Sequence, residues 1–426
     1  MIQTLRNAWR IPDLRKKLLF VIFALVVYRF GYSIYVPYVD LDMVKAVFEQ
    51  YSDTVLGYFN VLSGGGFSQA SIFALSIYPY INASIIMNLL QVAIPALERM
   101  VKDGGEEGRK KLAAITRYVT VGLALILGYT YYVMLKSTGA LTRTDAISMI
   151  VILITFTAGS AFIMWLGEQI TEKGIGNGIS LILFASIVSR GPQAVISIVS
   201  SFINGNLNIF SLLVILVIAV AIIALVVFVT NAERRIPVQY AKRVVGRKIY
   251  GGQSTNIPMK VNMSGVMPII FASSIVTVPA TIIEFLQPAE GSFWSNFAKS
   301  FSQGTIPYMI VYALLIVGFA YFYSTIQFNP IEVSNNIRKN GGFIPGFRSG
   351  RPTTEFITRV LNKITLMGAI FLGFIALLPQ VMSNINGLSG LAVGGTSILI
   401  LVGVALETVK AIEAQMLMRH YKGFLE

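Results

Sequence analysis

Ten apolar stretches recur along this 426-residue chain, each near the roughly 20 residues that a helix needs to cross a hydrocarbon core. They lie at approximately 18–36, 71–94, 115–135, 147–167, 178–203, 209–229, 264–286, 306–327, 364–382 and 395–416. Such a pattern excludes a water-soluble fold and predicts an all-α polytopic membrane protein. Composition agrees: only 13% of residues are charged, against about 25% in soluble domains. The fifth stretch is interrupted at Arg190, Gly191 and Pro192, and the tenth turns amphipathic at Glu407, Lys410 and Glu413. Residues 18–28 follow a basic start as a signal peptide does. Arg29 and Tyr32 stand where a small-x-small cleavage site would be, so this is an uncleaved first span.

The positive charges test that assignment, because Lys and Arg accumulate in cytoplasmic loops. Segments 1–17, 95–114, 168–177, 230–263, 328–363 and 417–426 together hold 26 Lys and Arg, and the opposite set holds only Lys45, Lys136, Arg143 and Lys299. Both termini are thereby placed in the cytoplasm and the number of spans is even. Within 1–17, Ile2, Leu5 and Trp9 share a helical face flanked by Arg6 and Arg10, the pattern of an interfacial helix on anionic lipid that ends before Pro12. With five spans in each, the stretches 18–203 and 204–416 can be structural repeats only by inversion about an axis in the membrane plane.

The segment from Leu56 to Gln91 departs from simple spanning. Its start, including Phe59, Val61 and Leu62, is too short to cross a bilayer, and Gly64, Gly65 and Gly66 then break any helix. A span with Pro79, Asn82, Ser84 and Asn88 follows. Broken backbone beside a membrane helix survives only when buried in protein or lining a wet cavity. Residues 57–66 are therefore either a re-entrant plug or an outer loop with a surface helix.

Chemistry-bearing groups are scarce. There is no cysteine, and the one histidine, His420, lies in a charged tail. Glu168 and Glu284 fall at span ends and Glu407 lies inside one towards the cytoplasm, whereas ion-coupled carriers place ionisable groups near mid-membrane. Gly174, Gly176 and Gly178 form a tight turn without the rest of a phosphate-binding loop. No pattern of paired carboxylates, metal ligands or nucleophile with base stands out. This argues against an enzyme or a cofactor site, and a small-solute secondary transporter, the alternative reading, would need a polar midplane pocket that is not evident.

Two basic loops exceed what a connector needs. Residues 230–263 carry Arg234, Arg235, Lys242, Arg243, Arg247, Lys248 and Lys260, with alternation at Ile236, Val238 and Tyr240, and read as an extended hairpin. Residues 328–363 add Arg338, Lys339, Arg348, Arg351, Arg359 and Lys363 among Gly341, Gly342, Pro345 and Gly346. Loops of this kind suit an acidic or RNA-containing partner. The apolar pairs Ile77 with Ile81 and Ile179 with Leu183 are each four residues apart on one helical face, a spacing equally suited to core or lipid.

Several ordered segments carry a resemblance to a known family: Gly57–Ile86 with Phe59-Asn60 and the glycine triplet, WLGEQITEKGIGNGIS at Trp165–Ser180, and QSTNIPMKVNMSGVMP at Gln253–Pro268. FASSI at Phe271–Ile275, FNP at Phe328–Pro330, FIPGFRSG at Phe343–Gly350 and Gly394-Gly395-Thr396-Ser397 complete the set. Over essentially its whole length the chain resembles the SecY/Sec61-alpha family, the channel subunits of protein translocases. The resemblance implies ten helices in two inverted five-helix halves around a central hourglass pore, in the bacterial plasma membrane. It implies a pore ring of Ile77, Ile81, Ile179, Leu183, Ile270 and Ile400, where Leu183 departs from the family's isoleucine but keeps its size. A plug at Tyr58, Phe59, Asn60, Val61, Leu62, Gly64, Gly65 and Gly66 is implied too, as is a lateral gate between the second and third spans and the seventh and eighth. Docking of the SecA ATPase and of ribosomal RNA falls to Arg235, Lys242, Arg243, Arg247, Lys248, Arg348 and Arg351. SecE and SecG would complete a heterotrimer acting on signal-bearing preproteins.

Overall fold

The computed structural model describes residues 2–50, 60, 63–205, 208–240, 243–245, 248–250, 254–286, 292–293, 297, 305–383 and 394–422. Helices overlap all ten apolar stretches. In chain order they begin with α1 (Ile2–Arg10), α2 (Pro12–Gly31) and α3 (Leu41–Gln50), then α4 (Tyr78–Ala93), α5 (Pro95–Asp103), α6 (Gly105–Ser137) and α7 (Ala146–Lys173). Next come α8 (Gly178–Ser189), α9 (Gly191–Ile203) and α10 (Ile209–Asn231), followed by strands β1 (Glu233–Tyr240), β2 (Arg243–Val245), β3 (Lys248–Tyr250) and β4 (Ser254–Lys260). The chain ends with α11 (Met267–Leu286), α12 (Ile306–Gln327), α13 (Pro330–Lys339), β5 (Gly342–Phe343), α14 (Arg351–Ser383) and α15 (Gly394–Lys422). Among the described residues five helices are alone long and apolar enough to cross a membrane, and the α4–α5 pair, bent by 95°, is so only when its two helices are taken together, as a broken span or a re-entrant loop. The protein is an all-α polytopic membrane protein with a small sheet.

Prolines set several helix starts. Pro12, Pro79, Pro95 and Pro192 sit in the first turns of α2, α4, α5 and α9, where a missing N–H leaves no helical bond unmade. Two boundaries move accordingly. The helix over the first stretch runs Pro12–Gly31, against 18–36, and that over the second begins at Tyr78, not Ser71, because residues 63–77 form successive turns ahead of Pro79. The break expected at Arg190 is present as the junction of α8 and α9.

The chain divides into two compact units, one of residues 1–208, 277–303 and 404–426 and one of residues 209–276 and 304–403. In the first, α6 packs against α4, α5 and α7, and α7 against α2 and α8. Its core gathers Val36, Val44, Phe48, Phe67, Tyr131, Ile152 and Phe156. A second cluster joins Ala8, Leu14 and Ile175 to Ile412 of α15, reinforced by Lys17 Nζ donating to Gln415 Oε1 at 3.3 Å.

In the second unit the 230–263 loop is the expected antiparallel hairpin, with β1 paired to β4 from Glu233↔Lys260 to Gln239↔Ser254 and β2 paired to β3. Ile236 and Val238 alternate inward, at 2% and 0% exposure, over a core with Met259, Ile337, Ile344, Ile357 and Leu361. The other basic loop joins the same sheet. Its β5 pairs with β1 through Gln239↔Phe343 and Tyr240↔Gly342, giving the order β4-β1-β5. Asn329 starts α13 by accepting the Ile331 and Glu332 amides at 3.1 and 3.4 Å.

Candidate functional site: the glycine turn before α4

Residues 63–77 form successive turns in place of a helix, and their bonds, with those of Asn60, explain how they keep that shape. Asn60 closes a loop on itself: its carbonyl accepts the Gly65 amide at 2.8 Å and the Ser63 hydroxyl at 3.1 Å, and its side-chain oxygen accepts the Ser68 amide at 3.0 Å. The Ser63 hydroxyl in turn accepts the Phe67 amide at 3.1 Å. Gly64 and Gly65 turn the chain at φ +67° and +92°, where a side chain would be strained. Of the residues expected in the plug, Asn60, Gly64, Gly65 and Gly66 lie in this turn, while Tyr58, Phe59, Val61 and Leu62 lie outside the described residues.

Residues 67–77 are anchored differently. Tyr131 of α6 donates its hydroxyl to the Phe67 carbonyl at 2.5 Å, and the Val36 amide donates to the Ala70 carbonyl at 2.9 Å. The Ile72 amide donates to the Ile34 carbonyl at 2.9 Å, and the Ile72 carbonyl lies on α7 where a Cβ on Gly159 would stand 1.9 Å from it. Ala70 and Ser76 adopt left-handed φ of 43° and 49°. Residues other than glycine hold such angles only when surrounding contacts impose them.

The glycine turn meets two elements. The position of a Gly64 Cβ is 3.1 Å from backbone atoms of Ser186 in α8, and that of a Gly66 Cβ is 2.3 Å from the Tyr32 ring just beyond α2. Arg29 reaches across with Nη1 3.4 Å from both the Gly64 carbonyl and Ser189 Oγ. Beneath them Tyr28 Oη lies 2.5 Å from Tyr32 Oη, 2.6 Å from Ser186 Oγ and 3.4 Å from Ser76 Oγ, all buried. Ser186 Oγ also donates to the Ile182 carbonyl at 3.0 Å. Each hydroxyl has one proton, so with Ser186 committed to Ile182 the short bonds run from Tyr32 to Tyr28 and from Tyr28 to Ser186. Around this knot Tyr28 stacks on Phe73, and Phe73 on Phe162.

The residues expected in the pore ring fall as follows. Ile77 caps the start of α4 and Ile81 lies one turn on, its amide donating to the Ile77 carbonyl at 3.1 Å; both are buried. Ile179 and Leu183 are one turn apart on α8, which opens with Asn177 accepting the Ile179 and Ser180 amides at 3.0 and 3.3 Å. Leu183 is buried, and the Cγ1 of half-buried Ile179 would lie 3.4 Å from a Cβ on Gly167 of α7. A Cβ on Gly178 would stand 2.0 Å from the Gly167 carbonyl, so this glycine serves a close crossing of α7 and α8. In the second unit Ile270 is half-buried on α11 and Ile400 is buried on α15.

The docking residues divide too. Arg235 is exposed on β1 and chelates Glu233 Oε1 through Nε and Nη2 at 2.7 Å. Arg351 pairs with Glu355 at 2.9 Å, whereas Arg348 is exposed on the turn before α14 and, among the described residues, has no ion-pair partner. Arg243 lies on β2 and Lys248 on β3; Lys242 and Arg247 are outside the described residues.

Tyr28, Tyr32, Ser76, Ser186 and Tyr131 were not legible as a group, since no spacing links residues 158 positions apart such as Tyr28 and Ser186. Arg29 was the one signal, a charge placed inside an apolar span.

Comparison with known proteins agrees with this architecture. The sequence model of the SecY family matches residues 71–409. The protein translocase subunit SecY of Streptomyces scabiei is 45% identical over 442 aligned residues, covering 100% of both chains, and that of Thermotoga maritima is 42% identical over 439, covering 100% of this chain and 98% of its own. Among solved structures, a SecY channel whose plug domain is described as stabilising its closed state superimposes with a TM-score of 0.68 at 20% identity, covering 95% of this chain and 92% of that one. A structure described as a protein-conducting channel gives 0.66 at 19% identity over 95% and 93% of the two chains. With its helical architecture, its self-closed glycine turn and these full-length matches, the chain belongs to the SecY family.

Proposed function

We propose that this chain is the channel subunit of a bacterial protein translocase, passing unfolded signal-bearing polypeptides across the plasma membrane and releasing apolar segments sideways into it. The observation that carries the reading is the full-length identity of 42–45% to translocase subunits. The two halves, 18–203 and 204–416, are then inverted five-span repeats flanked by the cytoplasmic segments 1–17 and 417–426. Ile77, Ile81, Ile179, Leu183, Ile270 and Ile400 line the constriction. Branched aliphatic side chains dewet an empty pore, yet offer no fixed hydrogen bonds and deform around any passing sequence. The plug, with its base at Asn60 and Gly64–Gly66, is the second barrier. An apolar signal segment favours the open gate by partitioning towards lipid, at about 0.8 kcal/mol per buried methylene, and opening is the resulting population shift.

The basic loops supply the docking face for the SecA ATPase and for the ribosome, with Arg235, Lys242, Arg243, Arg247, Lys248, Arg348 and Arg351 as the contact charges. Energy comes from those partners. SecE and SecG complete the heterotrimer, anionic lipid receives α1, and both termini face the cytoplasm. The test is reconstitution into vesicles with SecE, SecG, SecA, ATP and a signal-bearing precursor. Protease-protected precursor that depends on ATP and on the signal is expected; its absence from vesicles holding correctly assembled complex would overturn the reading.

A further inference from the structure

We infer that the C-terminal end of α2, through Tyr28, Arg29 and Tyr32, is a seat that positions the plug base against α8 and sets how readily the plug departs. The inference rests on the channel reading above, but its geometry is independent of it. Residues 67–77 are tied to the body of the unit by Tyr131, Val36, Ile34 and Gly159. Asn60 and residues 63–66 instead spend their polar groups on one another and on Phe67, Ser68 and Ser71, whose amide donates to the Gly66 carbonyl at 3.1 Å. Beyond these neighbours in the chain, their links among the described residues include the backbone contact of Gly64 with Ser186, the Arg29 bond to the Gly64 carbonyl, and the packing of Gly66 on the Tyr32 ring. Each of these runs to α8 or to the end of α2.

The hydroxyl relay makes those two elements one surface. Tyr28 donates to Ser186, and Arg29 bonds both Gly64 and Ser189, so α2 is fastened to α8 on either side of the point where Gly64 lies. A plug base closed on itself moves as a body. Its departure breaks the Arg29 link and its packing on α8 and Tyr32, and pivots on its bonds to Phe67, Ser68 and Ser71. Should α8 shift away from α2, the Gly64 contact and the Arg29 bridge are lost together. The direction of the relay adds a specific asymmetry. Removing the Tyr32 hydroxyl leaves the Tyr28 bond to Ser186 intact, whereas removing the Tyr28 hydroxyl breaks that bond and leaves α2 joined to α8 through Arg29 and Ser189.

The absence of cysteine permits a direct test. Ser63→Cys places a thiol at a position 2% exposed within the plug base. Its rate of reaction with a small maleimide, in the reconstituted complex without precursor, reports departure of the base. Tyr28→Phe and Arg29→Gln are expected to raise that rate about 2- to 10-fold, the population change that corresponds to losing one hydrogen bond. Arg29→Lys, which keeps a donor, should fall between Arg29→Gln and the parent. Tyr32→Phe should stay near the parent rate. An equal rise in Tyr28→Phe and Tyr32→Phe would reduce the cluster to packing and overturn the seat. So would unchanged labelling in both Tyr28→Phe and Arg29→Gln; Arg29 is exposed, so its variant keeps the fold and this outcome is readable. Export of a signal-bearing precursor by the parent complex is measured in parallel. Its failure with the labelling pattern intact would refute the channel reading and leave the seat standing.

Discussion

Replacing Gly159 by alanine tests whether the irregular segment before α4 is held by α7. The added Cβ would stand 1.9 Å from the Ile72 carbonyl oxygen and 2.9 Å from its carbon, while ordinary contact begins near 3.4 Å. About 1.5 Å must therefore open between α7 and the backbone at Ile72. That carbonyl cannot swing freely, because the Ile72 amide is bonded to Ile34 at 2.9 Å and Ala70 and Ser76 already sit at left-handed angles on either side. Overpacking of this kind costs about 1–3 kcal/mol, and losing the Ile72–Ile34 bond adds about 1 kcal/mol. Alanine in place of glycine returns up to about 1 kcal/mol of helix propensity, so the net loss is about 1–3 kcal/mol. Gly122→Ala on α6 is the matched control, since nothing lies within 4 Å of its Cβ and only the propensity gain remains. The two variants should move the thermal unfolding midpoint in mild detergent in opposite directions, Gly159→Ala down and Gly122→Ala level or up. In planar bilayers Gly159→Ala should also raise ion leak, because Ser71, next to Ile72, holds the Gly66 carbonyl of the proposed plug base at 3.1 Å. Equal midpoints for the two variants would refute the seating of Ile72 on α7.

Ile400→Asn puts an amide into the proposed constriction; burying one costs roughly 1–3 kcal/mol in mutational data, and a bias of about 1.4 kcal/mol raises the open population tenfold. Leak conductance and export of signal-defective precursors should both rise, with Ile400→Leu changing neither. Arg348→Glu reverses an exposed charge without making a cavity, so export at limiting SecA should fall while the unfolding midpoint stays put; full export would count against docking there. For orientation, Lys136→Cys, exposed in the last turn of α6, should react with an impermeant maleimide from outside intact cells, and Lys339→Cys, exposed at the end of α13, should not.

Much of the fold was legible because membrane helices and a hairpin are local phenomena. The break at Arg190-Gly191-Pro192 follows from proline chemistry, and the inward alternation of Ile236 and Val238 follows from strand periodicity. The start of α4 was misplaced because residues 71–77 are apolar enough to read as helix, while their conformation is imposed by distant groups, among them Ile34 and Gly159. The same holds for the seat, whose tyrosines and serines are unremarkable in the spans that carry them. Their meaning lies in a three-way meeting of α2, residues 63–77 and α8. Gly167 and Gly178 lie between these cases: the motif showed glycines, and only the crossing of α7 and α8 explains them.

The pairing of β5 with β1 has a consequence for the modularity of the chain. Because β1 is hydrogen-bonded on one side to β4 and on the other to Gly342 and Phe343, segments more than a hundred residues apart in sequence share one strand and one apolar underside. A chimera that imports 230–263 from a relative would meet a foreign Gly342–Phe343 edge and a foreign Ile337, Ile344 and Ile357 beneath it. Swapping both segments together keeps that joint native. Exchange of either alone should yield hybrids that insert normally and yet recruit their cytoplasmic partners poorly, so the two loops are inherited as a single cassette.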